Sequence, residues 1–277
     1  MLFIDIAKKY LVEDSENLAE LTIRTYRWNL NKIHDFAPNL TLEEITTDFV
    51  RRYRSHLKKI GNRESTISKA LSVFRNFTNK LIFDDLISRN PFDRIKIRRV
   101  ASKRGFLSLR ELKSLYLNFL ERSHTLLKNE QDSLRVFLFS CFTGLRFNDL
   151  KTLDAREIAD WKIHKQTHKT GEAVYIPIPV QARLLLPNIT KGPVFHVADN
   201  AYFNKRLRSG AKKLGCHRHL HCHMARHTFA TTCITIGIPL PVTSKLLGHR
   251  SIETTLIYAK YVDTLLDKEM KKFDRLK

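Results

Sequence analysis

Two short stretches of this chain carry side chains suited to attack at a phosphodiester. One reads Thr143-Gly144-Leu145-Arg146, followed by Asp149-Leu150; the other reads His223-Met224-Ala225-Arg226, followed by Leu247-Gly248-His249 and, nine residues later, Tyr258. Cutting a phosphodiester passes through a crowded, multiply charged phosphorane, which is stabilised mainly by electrostatics. Arginine suits that task because its planar fork gives two parallel hydrogen bonds to non-bridging oxygens and stays charged. Tyrosine can be the nucleophile only with help, since a phenol has a pKa of about 10 and needs a base or a strong positive field near neutral pH. Histidines supply proton handling. On a helix, His223 and Arg226 stand at i and i+3 and share one face, so both can reach one phosphate.

The elements that must position these groups are legible from periodicity. Ile23, Tyr26, Leu30, Ile33 and Phe36 recur at helical spacing, which predicts one buried helical face. A second helix starts near Thr46 or Thr47 and buries Phe49, Tyr53 and Leu57. A third carries Ile67, Leu71, Phe74 and Leu81 and presents Lys69, Ser72, Arg75, Asn76 and Asn79 on its other faces. Such side chains are expected to touch phosphates, a solvated face being the bland alternative. Asn90-Pro91 interrupts the helical run, because the residue before proline is pushed out of helix. The basic run Arg94, Lys96, Arg98, Arg99, Lys103 and Arg104 follows, either a solvated linker or a tether along the phosphate backbone. Ser108 and Glu111 then form a capping box that opens the next helix.

The expected organisation is a helical domain over 1–90, a basic linker over 91–105 and a second domain over 106–277. In the latter, helical spacing through Leu112, Leu115 and Phe119, and again through Val136–Phe142, ends at Gly144. Trp161–Gln166 and Ala173–Pro177 read as strands of a hairpin around a Lys169-Thr170-Gly171 turn. Helical patterns resume from Gln181, including Tyr202–Lys213 and a two-part run from His223 to Leu247. The fold class is mainly α with a small antiparallel β-sheet (α+β).

Composition narrows the partners. The 277 residues include 49 Lys+Arg against 28 Asp+Glu, a formal net charge of +21, and an excess of that size favours a polyanion, nucleic acid first. No apolar h-region follows the N-terminus and no stretch is long enough to span a bilayer, so a soluble intracellular protein without a membrane partner is expected. Four cysteines outside a secretory context read as reduced thiols. The cluster Cys216-His217, His219, His221-Cys222-His223 invites a zinc reading, but its spacings match no usual finger or ribbon. It reads better as a basic approach to the helix that follows; no metal and no cofactor are expected.

Taken together, His223-x-x-Arg226, Leu247-Gly248-His249 and Tyr258 resemble the second signature box of the tyrosine recombinases, the phage-integrase family, and Thr143–Leu150 resembles the first. His168-Lys169-Thr170-Gly171 resembles the hairpin that brings a lysine into that family's cleft. The resemblance implies six catalytic residues: Arg146, Lys169, His223, Arg226, His249 and Tyr258. Arg146 and Arg226 would clamp the phosphate, Lys169 would protonate the departing 5′-oxygen, His223 would take the phenolic proton or bond the phosphate, and His249 would donate to a phosphate oxygen. Asp149 would orient a basic group of the site. Tyr261 and Lys165 stand close enough in sequence to rival Tyr258 and Lys169, and His221 and His227 read as packing or DNA-proximal.

The resemblance further implies a SAM-like core-binding domain ahead of a DNA breaking-rejoining catalytic domain, and a 3′-phosphotyrosyl intermediate formed without metal or ATP. It implies paired double-stranded recombination sites, self-association into dimers or tetramers on DNA, and possible accessory DNA-bending proteins. A cytoplasmic setting is expected, bacterial and nucleoid-associated or encoded by a phage or mobile element. Lys69, Arg75, Asn76, Arg98, Arg99, Lys103 and Arg104 are the expected DNA contacts, and a separate N-terminal arm-binding domain is not expected. A type IB topoisomerase and a non-catalytic DNA-binding regulator are the competing readings. Val262, Leu266, Met270 and Phe273 predict a short amphipathic helix over 262–277, packed on its own domain or docked on a neighbouring protomer.

Overall fold

The computed structural model describes residues 1–98, 105–168 and 171–258. The chain divides into two compact units, 1–103 and 104–277, of which no described helix is long and apolar enough to cross a membrane.

The N-terminal unit consists of helices α1 (Phe3–Glu13), α2 (Glu20–Phe36), α3 (Thr47–Lys59) and α4 (Glu64–Phe83). The periodicities of α3 and α4 are met, with Phe49, Tyr53 and Leu57 and with Ile67, Leu71, Phe74 and Leu81 buried, whereas on α2 Leu30 and Ile33 are buried and Ile23, Tyr26 and Phe36 pack partly exposed at the edge of the core. Thr46 caps α3, its side chain accepting from the Phe49 amide at 3.2 Å. Phe74 is the hub. Its ring meets those of Phe3, Phe49, Tyr53 and Phe92 edge-on, with centroids 5.3 to 6.1 Å apart, a geometry favoured by the aromatic quadrupole.

In the C-terminal unit, α5 (Leu109–Arg122) opens with the expected capping box between Ser108 and Glu111. Helix α6 (Lys128–Thr143) runs through the core, buried along most of its length, and packs against α9 (Asn200–Lys213) and α10 (Cys222–Thr235). The short α7 (Phe147–Lys151) follows. Strands β1 (Ile158–Ala159), β2 (Lys162–Gln166) and β3 (Ala173–Pro177) form one antiparallel sheet in the order β1-β2-β3. His164 faces Tyr175 and Lys165 faces Val174 in the β2–β3 register. Burial alternates along both strands, with Ile163, Lys165, Val174 and Ile176 inward, as one-sided covering requires.

Two local expectations need correction. Strand β1 adds a third strand to the hairpin. The helical pattern from Gln181 lasts only through α8 (Val180–Arg183); residues 184–199 are irregular, because Pro187 and Gly192-Pro193 cannot sustain a helix. The remaining helices are α11 (Leu240–Leu246) and α12 (Glu253–Leu256). The fold class is as the sequence implied, mostly helical with a small antiparallel sheet.

Candidate active site

The site is assembled where the ends of three elements meet. Gly144 ends α6 at φ +70°, and a Cβ there would lie 2.5 Å from the Phe229 ring of α10. Both facts demand glycine. The chain then turns so that Arg146 sits in extended conformation just before α7. Arg226, buried on α10, donates from Nη1 to the Gly144 carbonyl at 2.7 Å and from Nη2 to the Leu247 carbonyl. Arg146 donates from Nη2 to the Gly248 carbonyl at 3.4 Å. The two guanidiniums thereby hold both signature boxes together through backbone carbonyls.

Asp149 is fully buried. One of its oxygens lies 4.0 Å from Arg146 Nη1, and the other accepts the His168 backbone amide at 2.8 Å. It therefore links the arginine clamp to the hairpin position just before Lys169. Arg146 Nη1 and Asp149 Oδ2 make no hydrogen bond among the described residues. Burial lowers the pKa of Arg146, with Asp149 opposing it. Arg226 is pushed down to about 9 by burial and by the charge of Arg146, while Tyr258 and Asp149 act the other way. Both arginines stay cationic at neutral pH, two like charges in a poorly solvated place, where an anion is strongly favoured.

Gly248, at φ +59°, lies against the hairpin: a Cβ would meet Val174 Cγ1 at 2.6 Å and Thr167 Cγ2 at 3.3 Å. His249 follows, its Nδ1 within 2.7 Å of the hydroxyl of buried Thr255. Tyr258 is 5% exposed and packs in a cluster with Phe229, Ala230, Cys233, Ile234 and Leu247. Its hydroxyl lies 2.5 Å from Nδ1 of His227. His223 is on the exposed side of α10, one turn before the buried Arg226.

The structure thus brings together Arg146, Asp149, Arg226, Leu247–His249 and Tyr258, with His223 on the same helix as Arg226. Lys169 lies outside the described residues, as do Arg99, Lys103, Arg104, Tyr261 and the 262–277 segment. Lys165 is buried and points away to other partners: its Nζ bonds the Thr152 carbonyl at 2.9 Å and Glu157 at 2.7 and 3.0 Å. His227 was read from the sequence as a packing or DNA-proximal residue, yet it contacts the tyrosine hydroxyl. Its only sequence signal is adjacency to Arg226; the partner is 31 residues away.

In the N-terminal unit Lys69 and Arg75 are exposed on α4, and Asn76 is half-buried with its amide 3.4 Å from the Tyr26 hydroxyl. Arg98 is exposed and its carbonyl accepts from Ser68. Around Cys216–His223, the Cys222 thiol accepts from Asn200 and its amide donates to Asn204. No group of three or more metal-ligating side chains occurs among the described residues. Burial lowers the pKa of His221, as do His223, His219 and Arg208, so this approach is electropositive.

Residues 110–264 match the phage integrase family and residues 2–97 match the phage integrase SAM-like domain. A tyrosine recombinase XerC of Bacillus licheniformis is 28% identical over 294 residues, covering 96% of this chain and 94% of that protein. Among solved structures, the Tn1549 transposon integrase in complex with a circular intermediate DNA superposes with a TM-score of 0.77 at 16% identity, covering 93% of this chain and 95% of that one. A lambda integrase tetramer bound to a Holliday junction gives 0.73 at 17% identity, covering 92% and 76%. The chain belongs to the phage integrase family of tyrosine recombinases. Its activity is site-specific DNA strand transfer; topoisomerase-like relaxation and a purely regulatory role are not favoured.

Proposed function

We propose that Tyr258 attacks the scissile phosphate of a recombination site, forming a 3′-phosphotyrosyl bond and releasing a 5′-hydroxyl. A 5′-hydroxyl of the partner strand then reverses the step and exchanges the strands. The observation that carries this reading is the pair of guanidiniums, half-buried Arg146 and buried Arg226, beside Asp149 and Tyr258. Donors fixed before the reaction stabilise a developing anionic phosphorane without reorganising. His223 and His249 complete the set around the phosphate. Lys169 is the general acid for the leaving oxygen, a choice supported by the engagement of Lys165 with Glu157 and Thr152. Asp149 acts through its neighbours, aligning Arg146 and the hairpin backbone.

DNA is held by the exposed face of α4, through Lys69, Arg75 and Asn76, and by the basic run containing Arg98, Arg99, Lys103 and Arg104. Dimers or tetramers form on paired double-stranded sites, as the solved lambda integrase assembly does on its junction, with DNA-bending proteins as accessories. The amphipathic 262–277 segment links one protomer to the next. The setting is the bacterial cytoplasm, at the nucleoid or on a phage or mobile element, and the reaction proceeds without metal or ATP. The test is covalent capture on a nicked suicide duplex in EDTA. Tyr258→Phe should form no adduct while binding DNA nearly as well as the parent, and Tyr261→Phe should still form it. The reverse pattern would move the nucleophile to Tyr261.

A further inference from the structure

The contact between His227 and Tyr258 has no role in the scheme above. His227 is half-buried on α10, directly after Arg226, and its Nδ1 lies 2.5 Å from the phenolic oxygen, with the two rings tilted at 51° and centroids 5.8 Å apart. A phenol is almost entirely protonated at pH 7, with a pKa of about 10, whereas a neutral imidazole is a base suited to that pH. We infer that His227 is a catalytic residue of this recombinase, the general base that takes the proton from Tyr258. The inference rests on Tyr258 being the nucleophile.

In the step, His227 carries its ring proton on Nε2, leaving the Nδ1 lone pair to accept the phenolic proton. The Tyr258 oxygen forms its bond to phosphorus, the bond from phosphorus to the 5′-oxygen breaks, and that oxygen takes a proton from the general acid. The imidazolium is left beside the new phosphotyrosyl ester, and in the reverse step it returns its proton to the departing phenol. Arg226, the neighbour of His227 on α10, puts a positive charge within electrostatic reach of the phenol. That charge favours the phenolate as it forms, while the proton needs an acceptor. His249 has its Nδ1 engaged with Thr255, and His223 stands on the exposed side of the helix.

The test uses the full chain on a nicked suicide duplex whose site is selected from random DNA by the Tyr258→Phe variant. His227→Gln keeps a polar group of similar reach but no base. It should bind this duplex as the parent does and form adduct about a hundredfold more slowly at pH 7, the lower end of what a positioned base contributes. Between pH 6 and 8.5 its rate should climb about tenfold per unit, since the phenol must then lose its proton to solvent, whereas the parent's rate should depend on pH far less steeply. Replacing the leaving 5′-oxygen with sulfur removes the need for a general acid, so it should rescue Lys169→Ala and leave His227→Gln slow. A parental rate or pH profile in His227→Gln, or its rescue by sulfur, would overturn the inference. Should His227→Gln fail to fold, nitrogen NMR of the histidines in the unaltered protein decides: Tyr258→Phe must shift the Nδ1 resonance of His227, and an unmoved resonance overturns the proposal. Adduct formation by Tyr258→Phe would remove the nucleophile and this base together; a dead Tyr258→Phe beside a fully active His227→Gln removes the base alone.

Discussion

The N-terminal unit buries aromatic rings and aliphatic side chains around Phe74, and among its described residues the buried polar side chains are Asn29 and Thr78. The C-terminal unit buries Glu130, Asp149, Lys165 and Arg226 as well as a series of threonines and serines. Two of these charges, Lys165 with Glu157 and Glu130 with Lys213, are neutralised by ion pairs at 2.7 Å. Arg226 and Arg146 are instead placed together: their carbonyl partners supply dipoles, and Asp149, 4.0 Å from Arg146, is one carboxylate for two guanidiniums. The first unit keeps its polar chemistry outside and its stability inside; the second gives up some stability inside to bring two like charges together, an arrangement that favours an anion. Burying like charges costs free energy that an anionic ligand restores.

The largest expected effect lies in the N-terminal core. Phe74→Ala should cost about 3–5 kcal/mol, the usual loss for a large buried aromatic. Each unit holds one tryptophan, Trp28 or Trp161, so denaturation can be followed separately in chains lacking the other. The Trp28 transition should move and the Trp161 transition should stay; if both move alike, the units unfold as one and the contrast fails. Next comes Arg226→Ala, which should slow covalent capture at least about a hundredfold, as for loss of an oxyanion donor, while DNA binding changes far less. Equal losses in rate and affinity would make Arg226 a holding residue only.

Inorganic phosphate offers a gentler probe of the same contrast. At ten times its dissociation constant it should stabilise the Trp161 transition by about 1.4 kcal/mol through mass action and leave the Trp28 transition unmoved. Loss of the effect in Arg146→Ala would locate the anion between the guanidiniums, and equal stabilisation of both transitions would deny a built site. The smallest effect belongs to the outer face of α4. Lys69→Gln should reduce the slope of log affinity against log salt by about 0.9, one phosphate contact, with no change in the rate of capture once bound. An unchanged slope would return Lys69 to solvent.

Much of this contrast could be read before any coordinates. Helices α2, α3, α4 and α6 follow from apolar spacing, and the Ser108–Glu111 capping box and the Gly144 stop are local signals between neighbours in sequence. The hairpin likewise follows from two β-rich runs around Lys169-Thr170-Gly171. Strand β1 escaped because two residues, Ile158 and Ala159, carry no period. The partners inside the C-terminal unit escaped for a different reason. That Arg226 bonds the carbonyls of Gly144 and Leu247, that Asp149 accepts the His168 amide, and that His227 meets Tyr258 are contacts between segments brought together only by packing. Residue types suggested an anion clamp; only the fold shows that its forks also fasten the backbone.

The close approach of Gly248 to Val174 and Thr167 bears on how such an enzyme can be altered. The loop that carries His249 and the strand that continues from the lysine turn touch without room for a methyl group. A hairpin grafted from a relative to change activity would bring its own residue to position 174, and any bulkier side chain there would push directly on the loop. The restraint is steric: with threonine at 167 and valine at 174, position 248 must stay glycine, although the three positions lie far apart in the gene. A library that varies the hairpin should therefore pair any bulkier residue at 174 with changes around it, since alone it meets the loop before its chemistry is ever tried.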